Sequence, residues 1–190
     1  MTSLAFSSDN ILLMAGSEDG PIEVFHDKPK GSFASVHSIF PQNALEESDR
    51  TKDLTVKCLA FSTDNKYCVA VQSGGTISIW SKKGLGYPYL QIRQSNLGVK
   101  RLLVAIFLET PSDLNGNERR ELLLVSADRT IIILDLLGVV SGFDKVRTNI
   151  SYKHILRSPV HSLAVSPRGE RIASFSQEGF FDISIEQPRP

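Results

Sequence analysis

The chain has 190 residues, and its 21 Lys plus Arg are balanced by 21 Asp plus Glu. A neutral chain is not a general polyanion binder, because non-specific nucleic-acid affinity comes from clustered Lys and Arg. With 41% hydrophobic and 22% charged residues it sits near the globular average, which excludes disorder as the default state.

In chain order, strand signals dominate. Leu4–Phe6, Leu12–Ala15 and Ile22–Phe25 are short apolar runs separated by Ser-Ser-Asp-Asn and Ser-Glu-Asp-Gly-Pro. Such clusters are turn chemistry, since Asp and Asn bond their own backbone and Gly supplies positive φ. The pattern recurs at Val56–Phe61, Tyr67–Val71 and Ile77–Trp80, at Leu103–Leu108, Leu122–Val125 and Ile131–Leu134, and at Val160–Val165, Ile172–Phe175 and Phe181–Ile185. Weaker strand candidates, Phe33–Phe40, Tyr89–Gln94 and Val146–Ile155, lie between these triplets and would bring each of the first three to four strands. Asn43–Lys52 has no apolar stripe and reads as a solvated loop, as does Pro111–Arg120 by its Pro, Gly and Asn content.

Three stretches nearly repeat one another: Ser3–Asn10 (SLAFSSDN), Val56–Asn65 (VKCLAFSTDN) and Val160–Gly169 (VHSLAVSPRG). Their Leu-Ala pairs, at Leu4, Leu59 and Leu163, are 55 and 104 residues apart, close to one and two periods, with Val104-Ala105 where another unit should start. The period exceeds the roughly 40–45 residues of a four-stranded propeller blade, and the excess falls in the insertions Gln42–Asp53 and Pro111–Arg120.

These residues resemble the WD-repeat β-propeller family over almost the whole chain. Leu4–Asn10, Leu59–Asn65 and Leu163–Gly169 follow the family's first strand and turn. The Trp-Asp that often ends its third strand is half kept, as Trp80 in Ile77–Ser81 and as Asp135 in Ile131–Asp135, while Ile22–Phe25 keeps only an aromatic. Ser126-Ala127-Asp128-Arg129-Thr130 looks like the family's turn before that strand. The resemblance implies an all-β fold of four-stranded antiparallel propeller blades, about four repeats in one region over 1–190, with blades at approximately 3–40, 54–94, 98–155 and 159–186, the last incomplete. It also implies structural blade positions at Trp80, Asp128, Asp135 and His154, the last roughly where the family places a loop His. No unit has the family's full hydrogen-bonded set of loop His, second-strand Ser or Thr, turn Asp and Trp.

A closed propeller has roughly 4–8 blades, and two open blade edges would invite pairing. The expectation is a piece of a longer propeller, ahead of a half-ring that pairs with a second chain or a domain completed by a partner's strand.

No catalytic constellation is present: there is no Gly-x-Ser-x-Gly elbow and no P-loop, and Gly84-Leu85-Gly86 leads into Tyr87-Pro88-Tyr89 rather than a helix. His26, His37, His154 and His161 show no ligand-like spacing, so neither metal nor cofactor is expected. Asp9, Asp19, Asp64 and Asp128 recur at equivalent turn positions and read as turn caps rather than as a ring of pore acids. Cys58 and Cys68 flank a predicted hairpin turn, which would bring them near each other. They do not make a disulfide framework and read as buried free thiols in a reducing compartment.

The partner-contact candidates are Tyr87, Tyr89 and Arg93, with Lys100 and Arg101 just after and Arg119 and Arg120 on the long loop, because aromatics interleaved with cations suit acidic peptides, phosphates or RNA. Without a signal peptide or an apolar run near the roughly 20 residues of a membrane helix, the chain reads as intracellular, cytoplasmic or nuclear, with no membrane insertion. The reading is a non-enzymatic protein–protein interaction scaffold, a subunit of a multiprotein complex, binding other subunits or peptides, with self-association or completion by a partner strand. The competing readings are a hydrolase with a metal in the pore and an RNA-associated propeller in a ribonucleoprotein.

Overall fold

A computed structural model describes residues 1–28, 32–39, 53–81, 90–108, 121–136, 149–156, 159–160, 162–166, 171–176 and 179–184. The first sheet holds β1 (Ser3–Phe6), β2 (Leu12–Gly16), β3 (Ile22–Lys28) and β4 (Ser32–Ile39), in that spatial order. The second holds β5 (Val56–Phe61), β6 (Tyr67–Gln72), β7 (Thr76–Ser81) and β8 (Leu90–Arg93), again in chain order. The third is β9 (Leu102–Leu108), β10 (Glu121–Ser126), β11 (Thr130–Asp135) and β12 (Asn149–Ile155). The fourth has β13 (Ser162–Val165), β14 (Arg171–Ser176) and β15 (Gly179–Ser184). The described pairings are antiparallel. The expected all-β blades are thus present, four-stranded in the first three sheets. Gln94, expected as the end of a strand, instead opens a 3-10 turn over Gln94–Leu97.

The repeated motif is a repeated turn. Asn10 N–H donates to Ser7 O and Asn65 N–H to Ser62 O, both at 2.9 Å. The serine hydroxyls accept from the next strand, Leu12 N–H to Ser7 Oγ and Tyr67 N–H to Ser62 Oγ, both at 2.9 Å. Asn10 and Asn65 stand at φ 60° and 58°, a left-handed conformation that Asn tolerates better than most residues. In the fourth sheet Arg171 N–H likewise donates to Ser166 Oγ at 3.0 Å, and Ser166 N–H donates to Arg171 O at 2.9 Å, as Ser7 N–H does to Leu12 O and Ser62 N–H to Tyr67 O. The motif is legible because its chemistry is local.

The chain divides into two compact units, Met1–Ile106 and Phe107–Pro190. In the first, strand alternation gives the first sheet two faces. Register places Leu4, Phe6, Leu13, Ala15 and Phe25 on a front face and Ala5, Leu12, Met14, Ile22 and Val24 on a back face. The back face packs against Val56, Leu59, Cys68, Ala70 and Trp80 of the second sheet, with Ala5 and Phe61 at the margin. Apolar burial of this kind is the main stabilising term, at roughly 25 cal/mol per Å². In the second unit β10 and β11 are buried at every position, and Leu122–Val125 and Ile131–Leu134 form its core.

Gly16 sits where the first two sheets approach closely. A Cβ there would lie 2.6 Å from Val56 Cγ1 and 2.7 Å from Val56 Cβ, and both neighbours belong to a buried β-branched side chain. Gly16→Ala is expected to destabilise by about 1–3 kcal/mol through overpacking. Denaturant titration checks this, and adding Val56→Ala should recover part of the loss, since contacting sites are non-additive.

Candidate interaction surface

Two rims of the first unit carry exposed turns held in fixed register. On one rim the first turn of each sheet meets its counterpart. Ser8 N–H donates to Asn65 Oδ1 at 2.8 Å, and Ser8 Oγ donates to Thr63 O at 2.7 Å. Asp9 and Asp64 are caps here. Asp9 Oδ1 accepts from Ser7 Oγ at 2.5 Å and Ile11 N–H at 3.1 Å, and Asp64 Oδ1 accepts from Ser62 Oγ at 2.6 Å and Lys66 N–H at 3.0 Å.

On the other rim the lead-in segment Asp53–Thr55 is strung between the second turns of both sheets. Val56 N–H donates to Ser17 O at 3.0 Å, and Thr55 Oγ1 donates to Glu18 O at 3.2 Å. On its other side, Ser73 N–H donates to Thr55 O at 2.8 Å and Gly74 N–H to Asp53 O at 2.7 Å. Gly20, at φ 102°, is forced by both conformation and space, because a Cβ would lie 2.9 Å from Leu54 Cβ. Thr55 N–H donates to Asp53 Oδ1 at 3.0 Å. Hydrogen bonds from Thr55 hold that exposed carboxyl below its ordinary value. Glu18, Asp19 and Asp53 give this rim an exposed acidic character.

The four turn aspartates do not occupy one equivalent position. Asp9 and Asp64 lie between the first and second strands of their sheets, whereas Asp19 and Asp128 lie between the second and third. Asp128 also caps, accepting from Thr130 N–H at 3.2 Å. Among the described residues no group of three or more His, Cys, Asp or Glu could hold a metal.

Trp80 is fully buried between the first two sheets, as expected of a structural blade position. Among the described residues its Nε1 has no hydrogen-bond partner. That follows from the departures in sequence: the turn before it holds Ser73-Gly74-Gly75 with no acid, and its directly opposite neighbour is Cys68. Asp135 ends β11, buried and directly opposite buried Glu121. His154 lies within β12, opposite Ile131, not in the loop that follows. Cys58 and Cys68 are free thiols on opposite faces of the second sheet, because Cys58 pairs with Val71 and Phe61 with Cys68. Flanking a turn therefore does not bring them together. Cys68 faces the first sheet, while the Cys58 thiol meets the Ala105 backbone, with Sγ 3.5 Å from its O and its N.

Of the partner-contact candidates, Lys100 and Arg101 are exposed just before β9, and Arg93 lies in β8 opposite Thr76. Tyr87, Tyr89, Arg119 and Arg120 lie outside the described residues, as do the Gln42–Lys52 part of the first insertion and all of the second. The sequence reading missed the acidic rim. Its signal was Glu18-Asp19 in one turn, but Asp53 joins only through the fold.

Four-stranded antiparallel sheets with repeated turns and sheet-on-sheet packing define the class: these are blades of the β-propeller type. Residues 46–81 match the family described as WD domain, G-beta repeat, so the second blade carries a WD repeat. Such repeats generally mediate protein–protein interactions and are typically non-enzymatic. A search of curated proteins returned no match.

Proposed function

We propose that this chain is a non-enzymatic scaffold, a subunit of a multiprotein complex that presents its blade turns as a rigid docking surface. The observation that carries the reading is the cross-bonding of turns from successive blades on both rims, notably Asp53–Thr55 between Ser17–Glu18 and Ser73–Gly74. Turns held this way lose little conformational freedom when a partner binds, which is how preorganisation raises affinity. The exposed acids Glu18, Asp19 and Asp53 favour a basic peptide or a basic face of a neighbouring subunit. Free thiols suit a reducing compartment, and cytoplasm or nucleus is the proposed residence.

The test is recovery of complexes from cells with the wild-type chain and with Glu18→Lys/Asp19→Lys. Both residues are exposed, so folding should be unchanged and the melting temperature serves as the control. The expected result is a loss of co-purifying subunits on the order of tenfold, as for charge reversal at a complementary interface. An unchanged set of subunits would remove this rim as the docking surface.

A further inference from the structure

The contact that joins the first two blades recurs one blade on. Leu59 N–H donates to Ser3 Oγ at 3.0 Å across the first junction. At the next, the Cys58 thiol takes the place of that hydroxyl, with Sγ 3.5 Å from Ala105 N. Ser3 and Cys58 are equivalent by register, each three residues before the phenylalanine, Phe6 or Phe61, that ends its strand. β9 therefore stands to β5 as β5 stands to β1, all within the unit Met1–Ile106.

The same step applies to the segments that lead into these strands. Leu54 and Thr55 are the two residues before β5, and Lys100 and Arg101 are the two before β9. Asp53–Thr55 is bonded between the Ser17–Glu18 turn on one side and the Ser73–Gly74 turn on the other. The repeated step carries Lys100 and Arg101 to the far side of the Ser73–Gly75 turn, on the same rim. The rim thus has two poles. Glu18, Asp19 and Asp53 are exposed at one, and Lys100 and Arg101 are exposed at the other. Exposed Lys57 lies within β5, and the three acids outnumber it. Between the poles Ser73, Gly74 and Gly75 carry no charge and almost no side chain.

A ligand of one sign is repelled at one pole: a polyanion by the acids, an all-basic peptide by Lys100 and Arg101. A ligand carrying both signs is attracted at both. Packed sheets lie roughly 10 Å apart and an extended chain rises about 3.3 Å per residue, so about three residues reach from one pole to the other. We propose that this rim docks an extended partner segment of mixed charge, its basic side chains over Glu18, Asp19 and Asp53 and its acidic side chains over Lys100 and Arg101. The inference rests on the rim reading above and names the chemistry of the partner.

The probes that test it are three synthetic hexapeptides, Lys-Lys-Gly-Ser-Glu-Glu and its all-lysine and all-glutamate counterparts, titrated into the isotope-labelled 190-residue chain and followed by amide NMR shifts. The mixed peptide is expected to bind tightest, by about tenfold over either counterpart, and to move the amides of Thr55, Gly74 and Arg101. Lys100→Glu/Arg101→Glu is expected to reverse the order, so that the all-lysine peptide binds best. Misfolding cannot produce that gain. An all-lysine peptide that binds wild type as tightly as the mixed one would overturn the mixed-charge proposal and leave the acidic rim standing. If neither peptide moves the rim amides, both readings fall. Tightest binding by the all-glutamate peptide, or by a single-stranded RNA oligonucleotide in the same titration, would overturn the proposal as well.

Discussion

Trp80→Ala is expected to cost about 3–5 kcal/mol of folding free energy. The indole is among the largest fully buried side chains, and it belongs to the core cluster between the first two blades that also holds Leu12, Met14, Ile22 and Val24. Domains are stable by only about 5–15 kcal/mol, so the loss would move a urea midpoint by about 2 M. Far-UV circular dichroism is the readout, because the chain has a single tryptophan and the variant loses it. Trp80→Phe separates packing from hydrogen bonding. It keeps a ring in the cavity and deletes an N–H that has no partner, and leaving such a donor unbonded costs about 1–3 kcal/mol. The phenylalanine variant is thus expected to lose far less than the alanine variant. Equal losses would mean that the indole N–H is bonded in solution.

What could be read from sequence divides along the line between local and non-local chemistry. Ser7, Asp9 and Asn10 make a turn from their own side chains, and Ser62, Asp64 and Asn65 make it again, so the repeat and its strand boundaries are legible from residue type alone. Whether a strand face is covered is not. Leu4 and Leu59 sit in nearly identical stretches, LAFSSDN and LAFSTDN, yet one is open and the other closed. The difference is the neighbouring blade, which no window of sequence around either leucine contains. The same holds for the rim: Glu18 and Asp19 are adjacent in sequence, but Asp53 reaches them only because its segment is bonded between two turns. The separation of Cys58 from Cys68 is a matter of parity. Cys58 stands three residues before Phe61, the partner of Cys68, with unbroken pairing between them, so alternation puts the two thiols on opposite faces.

That parity has a consequence in alkaline solution. Cys68 is buried against the first blade, and burial pushes its thiol up to about 12. Cys58 is displaced in the same direction, also by burial. A group whose pKa is raised in the folded state contributes stability that is complete below the unfolded value and is lost as pH rises through the folded one. Between pH about 9 and about 12 the unfolded chain gives up the Cys68 proton while the native chain keeps it, and stability falls by up to about 1.4 kcal/mol per pH unit for that thiol. At pH about 10.5 the Cys68 contribution to the loss is expected to reach about 2 kcal/mol. Lysines and tyrosines also titrate there, so the decisive comparison is with Cys68→Ala. The variant is less stable at neutral pH because it leaves a small cavity, but its stability declines more gently above pH about 9, and the two curves converge. Parallel curves would mean that the thiol ionises as readily in the folded blade as in the unfolded chain, which a dry interface between blades does not permit.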